Sequence, residues 1–171
     1  AMGLELVADR SCGECTACCV NLKIETEAFK KSADVPCQHL CSAGCGIYET
    51  RPPVCRSWYC GWRYMGQLGL AMRPDHSGIL LRVQDGPAIV FQPTGGLEAL
   101  LAMPAMELLG SLVSSDIATY ISMPGKPGHT NVMLHLNPAL AAPVQARDLV
   151  GVAKAIVSAL EFGSRTPTDP L

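Results

Sequence analysis

Apolar and polar positions alternate in two different ways along this chain, and the change falls near residue 61. Beyond it, Ile79 to Val83 and Ala88 to Phe91 are short β-rich runs. They flank Gln84-Asp85-Gly86-Pro87, and an Asp-Gly pair between such runs predicts a hairpin. After Gly95 and Gly96, the stretch Leu97 to Val113 places Leu97, Leu100, Leu101, Leu108, Leu109 and Leu112 on one wide apolar face. That spacing predicts a helix, kinked or restarted at Pro104, with its face turned mainly to the core. Two extended segments, 118–123 and 130–136, follow around a Pro- and Gly-rich loop that carries Lys126. The composition of that loop favours a solvated turn over an anion contact for the lysine. An amphipathic helix over 145–161 is expected to stop at Gly163 in a left-handed cap, leaving 164–171 frayed.

Residues 12–60 show neither helical nor strand periodicity, and cysteine takes the place of the large aliphatics. All nine cysteines of the 171-residue chain lie there. An odd count, and an N-terminus without a basic or long apolar leader, argue against a disulfide framework; Ala1 reads as an addition before an initiating Met2. Small buried hydrophobes would scatter through the core instead of crowding together with Cys18 and Cys19 adjacent. Metal ligation accounts for the clustering best. Cys12-x2-Cys15-x2-Cys18-Cys19 provides the two-residue chelate bite in which turn N–H groups point at the thiolates. Cys37-x3-Cys41-x3-Cys45 and Cys55-x4-Cys60 add further thiols. Soft sulfur ligands suit zinc, Cu(I) and iron–sulfur units alike, so the residues leave the metal open.

Two blocks carry a likeness to a known family: Cys12-Gly-Glu-Cys15-Thr-Ala-Cys18-Cys19, and Cys37 through Cys45-Gly-Ile47-Tyr48-Glu-Thr-Arg51-Pro52-Pro-Val-Cys55-Arg56 to Cys60. They resemble the YkgJ-type zinc- or iron-chelating proteins, described by a CxxCxxCC signature. The chain departs from that pattern at Thr16, where glycine is usual, at Gln38, where proline is usual, and in the additional Cys41. The resemblance implies ligand status for Cys12, Cys15, Cys18, Cys19, Cys37, Cys45, Cys55 and Cys60, and leaves Cys41 open. It implies metal binding and little more, although a related signature occurs in flagellin lysine N-methylases.

Arg51 and Arg56 are candidates to offset the charge of several thiolates, against a plain Arg51–Glu49 surface pair worth about 0–1 kcal/mol. Tyr48, Trp58, Tyr59, Trp62 and Tyr64, five of the nine aromatic residues, are expected to pack over the thiols. His39 is an alternative ligand, though nine thiols make it dispensable. His76, His129 and His135 have no ligand spacing. The 37–45 triplet is one residue too long for the radical C-x3-C-x2-C loop, and Gly44 and Gly46 oppose a helix through it.

The fold class expected is α+β: a metal-stapled, Cys-rich lobe (12–60) packed on a small β-hairpin and helix body (61–163), as one compact unit. A formal charge of −2 with no basic cluster argues against a nucleic-acid partner, and the apolar stretches are interrupted or too short for a bilayer. The cytoplasm is the expected compartment, with a protein partner left open. No catalytic constellation, phosphate loop or dinucleotide fingerprint is present. The first functional expectation is a metal-binding protein holding one or two zinc ions, or iron, in closed thiolate sites. The second is an iron–sulfur protein with redox or protein-methylase-like activity.

Overall fold

A computed structural model describes residues 5–171, so the expectation for Ala1 and Met2 lies outside the described residues. The chain is mixed α+β, and its main sheet has four strands that are hydrogen-bonded side by side in chain order. In the N-terminal third the elements are short: α1 (Ala17–Asn21), β1 (Ile24–Glu25) paired with β2 (Lys30–Lys31), β3 (Leu40–Cys41) paired with β4 (Gly44–Cys45), and α2 (Pro53–Ser57). Few large aliphatics are available there to support longer ones. After the four-residue α3 (Pro74–Ser77), the expected hairpin forms from β5 (Ile79–Gln84) and β6 (Ala88–Pro93). Gly86 adopts a φ of 112° in its turn, a conformation that glycine alone enters without strain.

The predicted 97–113 helix divides. Leu97–Leu101 is a 3₁₀ segment, and α4 (Met103–Ser114) restarts with Pro104 in its first turn, where a missing N–H costs nothing. Ala105, Met106, Leu108, Leu109, Leu112 and Val113 are buried, so this face is core. α4 carries the chain across to β7 (Ala118–Met123), which pairs parallel with β6, and β8 (Val132–His135) closes the sheet antiparallel.

The C-terminal expectation needs correction. There are two helices, α5 (Asn137–Gln145) and α6 (Leu149–Ser164), separated where Arg147 takes a φ of 52°. Asp148 caps α6 by accepting the Gly151 N–H at 2.9 Å. Gly163 is no left-handed stop: it is buried within α6, where an added Cβ would lie 2.8 Å from Leu134 Cδ1 and also meet Met123 Sδ. Glycine is there because α6 approaches the sheet closely. The tail, expected to fray, instead lies along the 124–131 loop. Thr130 N–H donates to Asp169 O (2.9 Å), Leu171 N–H to Gly128 O (2.8 Å), and His129 bridges to Pro170.

The register gives the sheet two unlike faces. Leu81, Val83, Ile89, Phe91, Ile121 and Leu134 lie on the face covered by the helices, and Phe91, Ile121, Leu109, Leu140 and Ile156 are fully buried in that core. The opposite face carries the buried Leu80 and Val90 together with the more polar set Arg82, Gln84, Gln92, Tyr120, Ser122, Met133 and His135. Part of it meets the cysteine-bearing segment, where Gln92 Nε2 donates to Asn21 O at 3.1 Å.

Candidate metal centre

Two long-range fastenings bring the cysteines together. Arg10 lies over the Trp62 ring, 4.3 Å from its centroid, and donates to the carbonyls of Trp62 (2.7 Å), Met65 (3.0 Å) and Leu68 (2.7 Å). Val7 N–H donates to Arg63 O at 2.8 Å. The strand of chain before Cys12 is thus tied to the segment after Cys60, although the two cysteines are far apart in sequence. On the other side, Cys37 N–H donates to Cys19 O at 2.8 Å, joining the end of the first cysteine block to the start of the second.

The thiols gather in two neighbourhoods that meet at Cys18 and Cys19. Cys12, Cys15 and Cys60 form the first. Cys15 N–H donates to Cys12 O (3.0 Å) in a turn that Gly13 allows with a φ of 55°. Burial pushes the Cys15 thiol up, while the N–H groups of Ala17 and Asp75 pull it back. Cys60 is raised by burial as well; the N–H groups of Arg63 and Trp62 oppose this, and the nearby Cys12 and Cys15 reinforce it. The Arg63 guanidinium reaches Cys12 Sγ at 3.5 Å.

The second neighbourhood is a pocket of about 230 Å³ whose lining includes Cys18, Cys19, Cys37, Cys45 and Cys55. His39 N–H points at Cys37 Sγ (3.4 Å), and Cys45 faces Leu40 in the β3–β4 hairpin. Burial raises the Cys55 thiol, and the fields of Cys19, Cys37 and Cys45 raise it further, against Arg51. Cys18 and Cys19 behave as a pair: the Cys18 S–H donates to Cys19, which raises Cys18 and lowers Cys19. Lys31 lowers Cys19 further, against the effect of burial.

Of the eight cysteines singled out by the signature, Cys12, Cys15 and Cys60 lie in the first neighbourhood. Cys19, Cys37, Cys45 and Cys55 lie in the second, and Cys18 feels Cys12, Cys15 and Cys19. Cys41 is exposed at the hairpin end. All nine are free thiols. Among the described residues, no three Cys, His, Asp or Glu side chains stand in an arrangement that would hold a metal ion. The donor chemistry suits a thiophilic metal, with several thiols, N–H groups directed at sulfur and two cations beside them. The positions of the side chains do not yet do so, and ligation requires the thiols to turn toward a common point.

The accessory residues divide. Arg51 stacks on Tyr48, 3.8 Å from the ring centroid, and donates to Tyr48 O at 2.9 Å, with no pair to Glu49 among the described residues. Its charge still reaches Cys55. Arg56 is exposed on α2 and makes no hydrogen bond to sulfur among the described residues. Trp58 lines the thiol pocket, Trp62 belongs to the main core and Tyr48 is exposed. His39 lines the pocket with its ring nitrogen beside Gln38 Nε2 (3.2 Å).

Lys31 is the residue that sequence reasoning missed. Its ammonium is buried and donates to three carbonyls, Val20 O (2.7 Å), Ser32 O (2.8 Å) and Val35 O (2.7 Å), folding the 31–35 loop against the thiols. Only the alternation of the two-residue strand separates it from exposed Lys30, too short a pattern to read in advance.

Compared with family models, curated proteins and solved structures, the chain matches none.

Proposed function

We propose that this protein binds a metal ion, zinc or iron, through cysteine thiolates. The observation that carries the reading is the convergence of eight cysteines from three separate sequence blocks on two adjoining neighbourhoods, with N–H groups, Lys31 and Arg63 directed at the sulfurs or their surroundings. Such donors stabilise thiolates, the form that ligates. The likeness of the two cysteine blocks to the YkgJ-type chelating proteins points the same way. Zinc or an iron–sulfur unit would draw its ligands from Cys12, Cys15, Cys18, Cys19, Cys37, Cys45, Cys55 and Cys60, and would link segments that otherwise have little core of their own.

The test is metal content in single-cysteine variants purified without oxygen. Cys18→Ser and Cys55→Ser are each expected to lose at least half of the bound metal, whereas Cys41→Ser, at the exposed hairpin end, retains it. Unchanged stoichiometry in both of the first two variants would overturn the ligand assignment.

A further inference from the structure

The unlike faces of the sheet leave a second cavity, away from the main core. A cleft of about 640 Å³ is floored by the polar sheet face, at Arg82, Gln92 and Ser122. Its walls come from the 21–23 and 32–34 segments on one side and the 124–131 loop on the other. That volume falls within the usual range for small-molecule sites, about 300–1,000 Å³.

Arg82 has no partner in this cleft. It projects from β5 opposite Val90, and its Nε is buried with no hydrogen-bond acceptor among the described residues. Among those residues it also makes no ion pair. The side chain is half-buried, and a guanidinium N–H left dry without an acceptor is costly, because a donor removed from water needs a replacement for its hydration. Nearby charge does not supply one. Asp34, the one acidic side chain of the lining among the described residues, accepts from Asn21 Nδ2 at 3.0 Å and forms no ion pair with Arg82. Lys23 is paired with Glu25 at 2.8 Å, while Lys126 enters from the loop with no ion pair among the described residues. Ser122 accepts from Asn131 Nδ2 at 3.1 Å, which leaves its own hydroxyl proton to donate.

We propose that this cleft binds a small polar molecule through an oxyanion group, a carboxylate or a phosphate, seated on Arg82 with Lys126 as the second cation. The planar fork of arginine matches either oxyanion, and the flexible lysine adds charge from the 124–131 loop. Lys126 then has a ligand-facing role in place of the solvated turn that composition favours. Arg82 also lines the thiol pocket, so the two cavities share a wall, but the proposal does not depend on metal binding.

The experiment is titration of the full chain, labelled with ¹⁵N, with inorganic phosphate and separately with succinate, each against sodium chloride at matched ionic strength. Saturable shifts at residues 82, 122, 126 and 131 are expected for at least one of the two probes, and whichever saturates identifies the oxyanion. Arg82→Gln is expected to weaken that affinity at least tenfold, and Lys126→Gln, on an exposed loop where folding is not at stake, at least threefold. The proposal is overturned if neither probe gives saturable shifts on the sheet face, if chloride reproduces them, or if Lys126→Gln leaves the affinity unchanged.

Discussion

Replacing Lys31 with methionine keeps the alkyl stem and removes only the ammonium, which makes it a direct test of how the cysteine-bearing segment is held. The lysine is 8% exposed and donates to the carbonyls of Val20, Ser32 and Val35 at 2.7–2.8 Å. Each carbonyl left dry and unpaired costs about 1–3 kcal/mol. Two terms reduce the sum. Ser32 and Val35 are exposed residues, so water can replace part of what is lost, and methionine escapes the cost of burying an ammonium. The net loss expected is about 2–4 kcal/mol, a large fraction of the roughly 5–15 kcal/mol that stabilises a typical domain. At about 2–4 °C per kcal/mol for a chain of this size, Tm should fall by roughly 4–16 °C. Urea and thermal unfolding followed by circular dichroism measure this, with Lys30→Met as the control on the same two-residue strand. Lys30 is exposed and should change stability by no more than about 0.5 kcal/mol. Equal stability of Lys31→Met and Lys30→Met would refute the assignment of Lys31 as the anchor of the 31–35 loop.

The close approach of α6 to the sheet predicts that Gly163→Ala, which forces Met123 and Leu134 aside, costs about 1–3 kcal/mol in urea unfolding. An effect under about 0.3 kcal/mol would show that the helix can withdraw freely. In the metal-free protein, Cys19 is drawn below the usual thiol range by the Cys18 S–H and by Lys31, so it holds more thiolate at neutral pH than its neighbours and loses it as pH falls. Iodoacetamide at pH 7 should therefore label Cys19 ahead of Cys18 and Cys60, whose thiols are held up, with the preference fading on acidification. Peptide mapping by mass spectrometry that finds the three labelled equally would contradict this.

The hairpin, the core helix and the extended segments of residues 79–136 were legible because local chemistry and burial agree there. Asp85-Gly86 suits its turn, and the leucines of α4 face the core that their spacing requires. The division of the C-terminal region was not. Residues 137–145 carry Pro138 and Pro143, weak signals for a helix, and α5 is held by tertiary contacts. Asn137 is the clearest of these, accepting the Thr119 N–H (2.8 Å) and donating to Ile117 O (2.8 Å). Gly163 reads locally as a helix stop, and only its contact with Met123 and Leu134 shows why the helix passes through it. The tail fastens through backbone hydrogen bonds that leave no trace in side-chain pattern.

At the candidate site, the spacing of the cysteines singled out the segment but not its partition. That Cys12 and Cys15 meet Cys60, while Cys19 meets Cys37, depends on Arg10 and on a single backbone hydrogen bond. Neither has a sequence signature. The polar sheet face was illegible for a related reason. Arg82 sits within an apolar strand run, and which face it occupies follows from a register that only pairing with Val90 defines.

The most direct test of thiolate metal binding is elemental analysis of protein purified without oxygen, combined with X-ray absorption at the edge of whichever metal is found. At least one zinc or iron per chain is expected, with sulfur as the dominant neighbour, at about 2.3 Å for zinc. Less than about a tenth of an equivalent of any transition metal, with all nine thiols free to react, would contradict it.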